Sequence, residues 1–382
     1  VTQVYPRGGD DPLGSFLHRL ARQLPERGVE VRVVAPGAPD VPGDESRDGV
    51  RIHRFAYPGM DRRPFAYTGE MHRAAARAPL GFLRFAAAMR RAARAAMGEW
   101  PDAIVHAHWW APPALLVAGP AGRRGMPLVI SLHGTDVRLL RRLPGARALA
   151  RPVLRRAALV LPVSAWLARE IAPLAGDTAC EVFPMPADDS VFTFPDPGTA
   201  AERRGLVAVA RLTAQKRVDV LVRAVARLAA RGVKTEVLVA GDGPERASLE
   251  RLAAAEGVAD RFRFAGMVAP GELARRLGEA VALVMPSERE GYGLAIVEAA
   301  LTGAPAVAVR SGALPDLVDP GRTGWLVEPG SPDRLADALA EVLSDPAEAS
   351  RRGRAARERA RELTPGPAAD RLVGLYRRFT RP

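Results

Sequence analysis

Short runs of apolar, mostly β-branched residues alternate along this chain with longer stretches in which apolar residues recur every three or four positions. That is the pattern of parallel strands joined by amphipathic helices. The runs predict strands over residues 1–5, 29–35, 51–55, 103–106, 128–132, 159–163 and 180–183, and, after a break, over 205–209, 235–240, 261–264, 281–285 and 306–309. Helices are predicted between them, including 80–97, 218–231 and 245–256. The break, from Pro184 to Ala200, reads PMPADDSVFTFPDPGTA; it is dense in Pro and Asp, has no period, and is read as an interdomain connection. The chain thus divides into an α/β domain over 1–184, a linker over 185–200, a second α/β domain over 201–365 and a last segment, 366–382, whose helix 368–379 could return to the first domain. Both domains are expected to be Rossmann-like.

Composition agrees with two domains. A length of 382 residues, 48% of them apolar, is too long for one ordinary core and suits two domains of roughly 180 residues each. No uncharged apolar run reaches the length of about 18 residues that a membrane-spanning helix needs, and the first residues lack the stages of a signal peptide. The expectation is a cytoplasmic chain, or one held at the inner face of a membrane. One cysteine, Cys180, excludes a disulfide framework and cysteine-based zinc sites, and the six histidines show no ligand spacing.

The net charge is +12, and of the 55 basic residues only Lys216 and Lys234 are lysines. Two readings stay open here: a compositional bias toward Arg, or a partner that carries phosphate. Aromatic residues make up 5% of the chain and are not interleaved with the basic runs, which argues against stacking on single-stranded nucleic acid.

Candidate chemistry gathers at the predicted strand exits, where ligands bind in such sheets. In the first half these exits carry Gly8-Gly9, His106-Ala107-His108-Trp109-Trp110, His133-Gly134-Thr135-Asp136 and Ser164. In the second, Arg211 and Lys216 lie five residues apart between a strand and a helix, as a clamp for a diphosphate would, and one of only two lysines occupies the spot. Gly241-Asp242-Gly243-Pro244 reads as a tight turn after the next strand. The segment from Glu288 to Glu298, EREGYGLAIVE, follows an apolar strand: its glycines admit an anion to a helix N-terminus, and Glu290 and Glu298 are suited to gripping sugar hydroxyls. The alternative reading is that Glu290 caps the helix and Glu298 is a solvated helix residue.

Taken in order, Gly8-Gly9, His133-Gly134-Thr135-Asp136, Arg211 with Lys216, Gly241-Asp242-Gly243-Pro244 and Glu290 with Glu298 resemble the retaining glycosyltransferases of family 4, over essentially the whole chain. The stretches HAHWWAPPALLVA and SLHGTDVRLL look like members that act on bacterial envelope polysaccharides and lipid-linked glycans. The resemblance implies the GT-B fold, two Rossmann-like domains facing across a cleft, and transfer of a sugar from a nucleotide-diphosphate donor, a UDP- or GDP-sugar, to a glycan or lipid-linked acceptor without a metal cofactor. It implies that Arg211 and Lys216 hold the diphosphate, Glu298 the ribose, and Glu290 the donor sugar. His133 would lie near the transferred sugar, and Gly8 and Gly9 near the diphosphate. Donor contacts also extend to Gly241, to Met267 and Val268 at the base, and to Gly291, Tyr292, Gly293 and Leu294. Closure about the 184–200 connection would exclude water. The chain departs from the family pattern at Ala210 and Arg217, where Gly is common, and at Pro184-Met185-Pro186-Ala187-Asp188, where the family usually has Pro-Asn-Gly-Val-Asp.

Rival readings are a nucleotide-sugar epimerase or glycosyl phosphorylase of the same fold, and a basic nucleic-acid-binding protein; the spread of Arg over nearly every helix disfavours the last, and no nucleic-acid partner is expected. Helix 80–97 adds an anionic membrane surface as a candidate partner. It carries Arg84, Arg90, Arg91 and Arg94 opposite Phe82, Phe85, Met89 and Ala93, while Arg138, Arg141 and Arg142 form a second basic group. Either the rings of that helix enter a headgroup layer or they pack on the domain core.

Overall fold

Among the described residues twelve strands form, six in each half of the chain, and all but one of them from apolar runs. In the first half these are β1 (Val31–Pro36), β2 (Asp44–Arg47), β3 (Val50–Phe55), β4 (Val105–His108), β5 (Leu128–Leu132) and β6 (Leu159–Pro162). In the second half they are β7 (Leu206–Val209), β8 (Val237–Ala240), β9 (Phe262–Gly266), β10 (Ala282–Met285), β11 (Ala306–Val309) and β12 (Gly324–Val327). The computed structural model describes residues 1–8, 11, 13–39, 41, 43–61, 65–67, 71–194 and 203–380. Its backbone separates into two units, Val1–Pro186 with Pro365–Pro382, and Ala187–Thr364.

The first unit has two sheets, β1-β3-β2 and β4-β5-β6. All five residues of β5 are buried, so its exit, His133, is delivered to the end of a core strand. Residues 1–5 do not form the expected strand. Thr2 donates its hydroxyl to the Val4 carbonyl at 2.8 Å and accepts from the Val4 N–H at 3.3 Å, a local turn that competes with ladder pairing. The segment still ties the two sheets together, since Thr2 donates to Val34 and His108 donates to Val1. Residues 180–183 likewise reduce to a bridge between Cys180 and Val160, with Phe183 donating to Pro162. Strand β2 has no apolar residue to announce it; its sequence is Asp-Glu-Ser-Arg, and it pairs antiparallel with β3 at the sheet edge. The final helix begins at Pro365, three residues before the expected start, because proline suits a first helical turn. It belongs to the first unit, where Tyr376 meets His106 at 2.6 Å and Asp370 pairs with Arg27 at 2.7 Å.

The helix Pro79–Glu99 resolves the alternatives left open for residues 80–97. Phe85, Met89 and Ala93 are buried in a core cluster with Val34, Phe55, Tyr57 and Phe65, and Phe82 packs against it, so these rings do not face lipid. A 3.6-residue apolar stripe is the same for either partner, and the core takes it here. The outward face carries Arg84, Arg90, Arg91 and Arg94 with Leu80 and Leu83, which are 72% and 63% exposed. Among the described residues no helix is long and apolar enough to cross a membrane.

The second unit is one six-stranded parallel sheet of order β12-β11-β10-β7-β8-β9. The chain runs outward from β7 to β9 and returns beside β7 with β10, which makes the gap between the carboxyl ends of β7 and β10 the switch point where parallel sheets bind ligands. Helices Val218–Ala230 and Pro332–Ser344 close one side over a core that includes Leu221, Val225, Leu335 and Leu339. Strand β12 was not expected, being four residues long and opening on Gly324, whose missing Cβ would collide with the Ala306 carbonyl oxygen. Of the 185–200 connection, Ala187 donates to Leu363 and Phe192 is buried, while residues 195–200 lie outside the described residues.

Candidate active site

Two loops meet at the switch point of the second unit. After β7 the chain passes exposed Arg211 and a 3₁₀ turn, Ala214–Lys216, before entering the helix Val218–Ala230. After β10 it passes Glu288, Arg289 and Glu290 before the helix Leu294–Leu301. Lys216 Nζ and Glu290 Oε2 meet at 2.5 Å, with each side chain about four-fifths buried. Glu290 therefore turns toward the lysine rather than capping the helix. The N-cap position is Gly293, at φ +99°, with no side-chain cap, so the first helical N–H groups keep their capacity to receive an anion.

Neighbours to which sequence reading assigned no role hold these loops. Gln215 donates to the Arg289 carbonyl at 3.1 Å and accepts from the Glu288 N–H at 3.0 Å. The Arg217 guanidinium bridges Glu288 and Asp219. On the far side Ser311 accepts from the Arg289 N–H at 2.9 Å, and the Ala313 N–H donates to the Glu290 carbonyl at 2.9 Å. Gly312, at φ +62°, lies so close to the Glu290 backbone that a Cβ there would collide with it. No local motif announces Gly312, because its partner lies 22 positions earlier in the chain and only the adjacency of β10 and β11 joins them.

The turn Gly241-Asp242-Gly243-Pro244 does more than reverse the chain. A Cβ on Gly241 would strike the Ala210 carbonyl oxygen, and one on Gly243 would strike the Leu212 backbone. Leu212 donates to the Asp242 carbonyl at 2.9 Å and accepts from the Glu245 N–H at 3.1 Å, so the turn fixes the residues on either side of Arg211. Gly241 also donates to Gly266 at 2.7 Å, which brings Met267, 76% exposed, and Val268 into the same group of loops. Glu298 is half-buried on the helix Leu294–Leu301, and Gly291 and Leu294 are also half-buried. The Tyr292 ring is buried; its hydroxyl has no hydrogen-bond partner, and burial raises its pKa, with Glu298 adding to the shift.

His133 belongs to the first unit and stands in an aromatic setting. Its ring centroid is 4.5 Å from Trp109, 5.2 Å from His108 and 5.3 Å from Phe16, and His108 Nδ1 meets its Nε2 at 3.1 Å. His106 continues the stack 4.4 Å from His108 and is fixed by Tyr376 and by Ser131 at 2.8 Å. Burial lowers the pKa of His133 and of His106 to about 3 and that of His108 well below its ordinary value, so the three rings are neutral. Asp136 shapes the turn beneath: its Oδ1 accepts from the N–H groups of His133 at 3.1 Å and Gly134 at 2.9 Å. Burial pushes this carboxyl up to about 6 against the backbone donors that favour its anion. Asp136 was read only as part of a motif; its structural office shows when the turn is folded. Ser164 is the N-cap of Ala165–Ala175, accepting from Leu167 at 3.2 Å. Gly8 is exposed with open space around it, and Gly9 lies outside the described residues. Among the described residues no group of three or more His, Cys, Asp or Glu is arranged to hold a metal ion.

Comparison with known proteins decides the family. Residues 13–191 match the family described as Glycosyltransferase Family 4, and residues 192–359 that described as Glycosyl transferases group 1. The 2-deoxystreptamine glucosyltransferase of Streptomyces kanamyceticus is 30% identical over 89% of this chain and 92% of its own. The chain belongs to glycosyltransferase family 4. A family relative from Mycolicibacterium smegmatis, the GDP-mannose-dependent alpha-(1-6)-phosphatidylinositol monomannoside mannosyltransferase, is 30% identical over 94% of this chain and 92% of its own. Among solved structures, the sucrose-phosphate synthase of Thermosynechococcus elongatus aligns with a TM-score of 0.77 at 22% identity, over 96% of this chain and 92% of its own. Anabaena Alr3699/HepE in complex with UDP aligns with 0.76 at 18%, over 98% of each chain. The two Rossmann-like units are those of the GT-B fold, and the protein is a hexosyl-type glycosyltransferase that uses a nucleotide-sugar donor. The departure from family pattern at Arg217 has a visible consequence: this residue sits at φ +49°, the left-handed region that favours glycine, and its two carboxylate partners hold it there.

Proposed function

We propose that this glycosyltransferase moves a hexosyl group from a UDP- or GDP-sugar to a hydroxyl of a glycan or lipid-linked acceptor, with retention at the anomeric carbon and without a metal ion. The observation that carries the reading is the meeting of Lys216 with Glu290 at the switch point, on the loops that also carry Arg211 and the uncapped helix that follows Gly293. As the glycosidic bond breaks, negative charge grows on the leaving diphosphate, and groups fixed to meet that charge lower the barrier. Arg211, Lys216 and the N–H groups after Gly293 take that role, which a divalent ion fills in other enzymes.

Glu298 is assigned to the ribose hydroxyls, Glu290 to the donor sugar, and the backbone at Met267 and Val268 to the base. Gly241 and the segment Gly291, Tyr292, Gly293 and Leu294 line the diphosphate and sugar, with Gly8 and Gly9 assigned to the diphosphate from the first unit. Neutral His133 serves the transferred sugar as a hydrogen-bonding group, not as a cation. The acceptor oxygen attacks the anomeric carbon on the face from which the diphosphate leaves, and its proton passes to a phosphate oxygen. Alr3699/HepE was solved with UDP and the mycobacterial relative is named for GDP-mannose, so both donor bases are carried forward. The same relative is named for a phosphatidylinositol mannoside, which supports a lipid-linked acceptor.

The test is the anomeric configuration of the product by NMR, with the reaction run in a chelator. A product with the donor's configuration, formed at an unchanged rate, is expected. Inversion, or activity that returns only with added magnesium, would overturn the reading.

A further inference from the structure

The second unit holds a cavity of about 730 Å³ apart from the Lys216–Glu290 loops, within the size range of small-molecule sites. Its lining includes the apolar side chains of Pro315, Val318 and Leu326 and three guanidinium groups, those of Arg310, Arg322 and Arg359. Arg359 is fixed by the last carbonyls of the short helix Leu314–Leu317, donating to Asp316 at 2.5 Å and Leu317 at 3.4 Å, which leaves N–H groups of its five-donor fork for a ligand. Arg310 pairs with Glu328 at 3.3 Å and Arg322 with Asp319 at 3.8 Å, and all four side chains are about half-exposed or more. Such solvent-facing pairs contribute little, so both arginines can turn to a better acceptor. Of the cavity's two carboxylates, Asp319 has that weak pairing and Glu358 an equally exposed one with Arg361 at 2.9 Å, so two carboxylates face three guanidinium groups and the balance at the cavity stays positive.

We propose that this cavity is a second ligand site, which takes a phosphate monoester: the guanidinium groups receive the phosphate and the apolar side chains of the lining receive the organic part. The site is joined to the Glu290 loop by one element. The helix Leu314–Leu317 is gripped by Arg359 on the cavity side, while Ala313 donates to the Glu290 carbonyl and Leu314 and Leu317 pack on Gly293. A ligand that tightens Arg359 therefore bears on the loop assigned to the donor sugar. That coupling rests on the proposed function; the binding itself does not.

Calorimetric titration of inorganic phosphate, ribose 5-phosphate and AMP tests the binding, with ribose as the uncharged control. The titrations use the wild-type chain, an Arg211→Ala, Lys216→Ala double variant that removes the assigned donor clamp, and Arg310→Gln and Arg322→Gln, both exposed enough to leave folding intact. At least one phosphate ester is expected to bind the wild type and the clamp variant alike, with a Kd below about 1 mM. That affinity should weaken about tenfold in each Arg→Gln variant, the loss of one charge-assisted hydrogen bond. Binding by none of the three probes, binding that disappears with the clamp, or binding indifferent to Arg310 and Arg322 would each overturn the proposal. Failure of the donor assignment would show separately, as UDP and GDP binding unaffected by the clamp variant.

Discussion

Lys216 is one of two lysines among 55 basic residues, and the fold sets it against Glu290. If it stabilises the leaving diphosphate, Lys216→Ala should lower turnover by roughly 100- to 1,000-fold, the usual cost of one lost transition-state donor. Its melting temperature should fall by several degrees, since the four-fifths-buried Glu290 carboxylate loses its cation, and turnover is therefore read well below that midpoint. Steady-state kinetics with a melting curve measures both. The two glutamates should separate by function: Glu298→Gln should weaken binding of the free nucleoside diphosphate, whereas Glu290→Gln should spare it and impair transfer. Equal losses in calorimetry would contradict the assignment. At Asp136, burial sets the carboxyl near pH 6, and the anion holds the His133–Gly134 turn. Protonation as pH falls through 6 relieves the buried charge but weakens the acceptor for these two N–H groups, a local change at the turn that should give kcat/KM an acidic limb that Asp136→Asn abolishes. His133 itself, with its pKa lowered to about 3, should add no inflection near 6.5.

The elements carry these residues with different degrees of legibility. The strands before Arg211, His133 and Glu290 could be read from their apolar runs, and so could the placement of each residue at a strand exit. What the loops rest on could not, because Gly312, Gln215 and Arg217 act through contacts made only when β7, β10 and β11 lie side by side. The helix Pro79–Glu99 illustrates the other limit: periodicity gave its length and stripe but not which neighbour covers the stripe. Glycine contacts give the sharpest test at this scale. Gly312→Ala combines a positive φ with a collision against the Glu290 backbone, so it should destabilise the second unit by about 1–3 kcal/mol and cut donor-sugar transfer more than nucleotide binding. Gly243→Ala presses instead on the loop of Arg211 and should weaken the nucleoside diphosphate itself.

For the whole molecule, the stacked, half-buried histidines link stability to pH. His106, His108 and His133 stay neutral in the fold and would take up protons below about 6.5 once unfolded, so they lose stability as pH falls below that value. Asp136 opposes them, since its native pKa of about 6 lies above its ordinary 3.8 and it favours the fold on acidification across that window. Three groups outweigh one, and the midpoint of chemical unfolding should drop between pH 6.5 and 4.5, less steeply in His108→Phe. The outward face of the helix Pro79–Glu99 bears on location: Leu80 and Leu83 lie exposed among Arg84, Arg90, Arg91 and Arg94, and no acidic residue occurs from Met71 to Gly98. If this face meets anionic lipid, co-sedimentation with anionic vesicles should weaken with salt and fall in an Arg84→Glu, Arg91→Glu variant. No sedimentation at low salt would remove the membrane from the account.

The central claim is that the switch-point loops of the second unit bind the diphosphate of a nucleotide sugar through their own cations. Calorimetric titration of UDP and GDP in a chelator, into the wild-type chain and into Lys216→Ala, tests it most directly. The account predicts saturable binding of at least one of the two nucleotides to the wild type, and affinity lower by about tenfold or more in the variant, as the loss of a charge-assisted contact implies. Absence of binding by both nucleotides at millimolar concentration, or equal affinity in the two proteins, would contradict it.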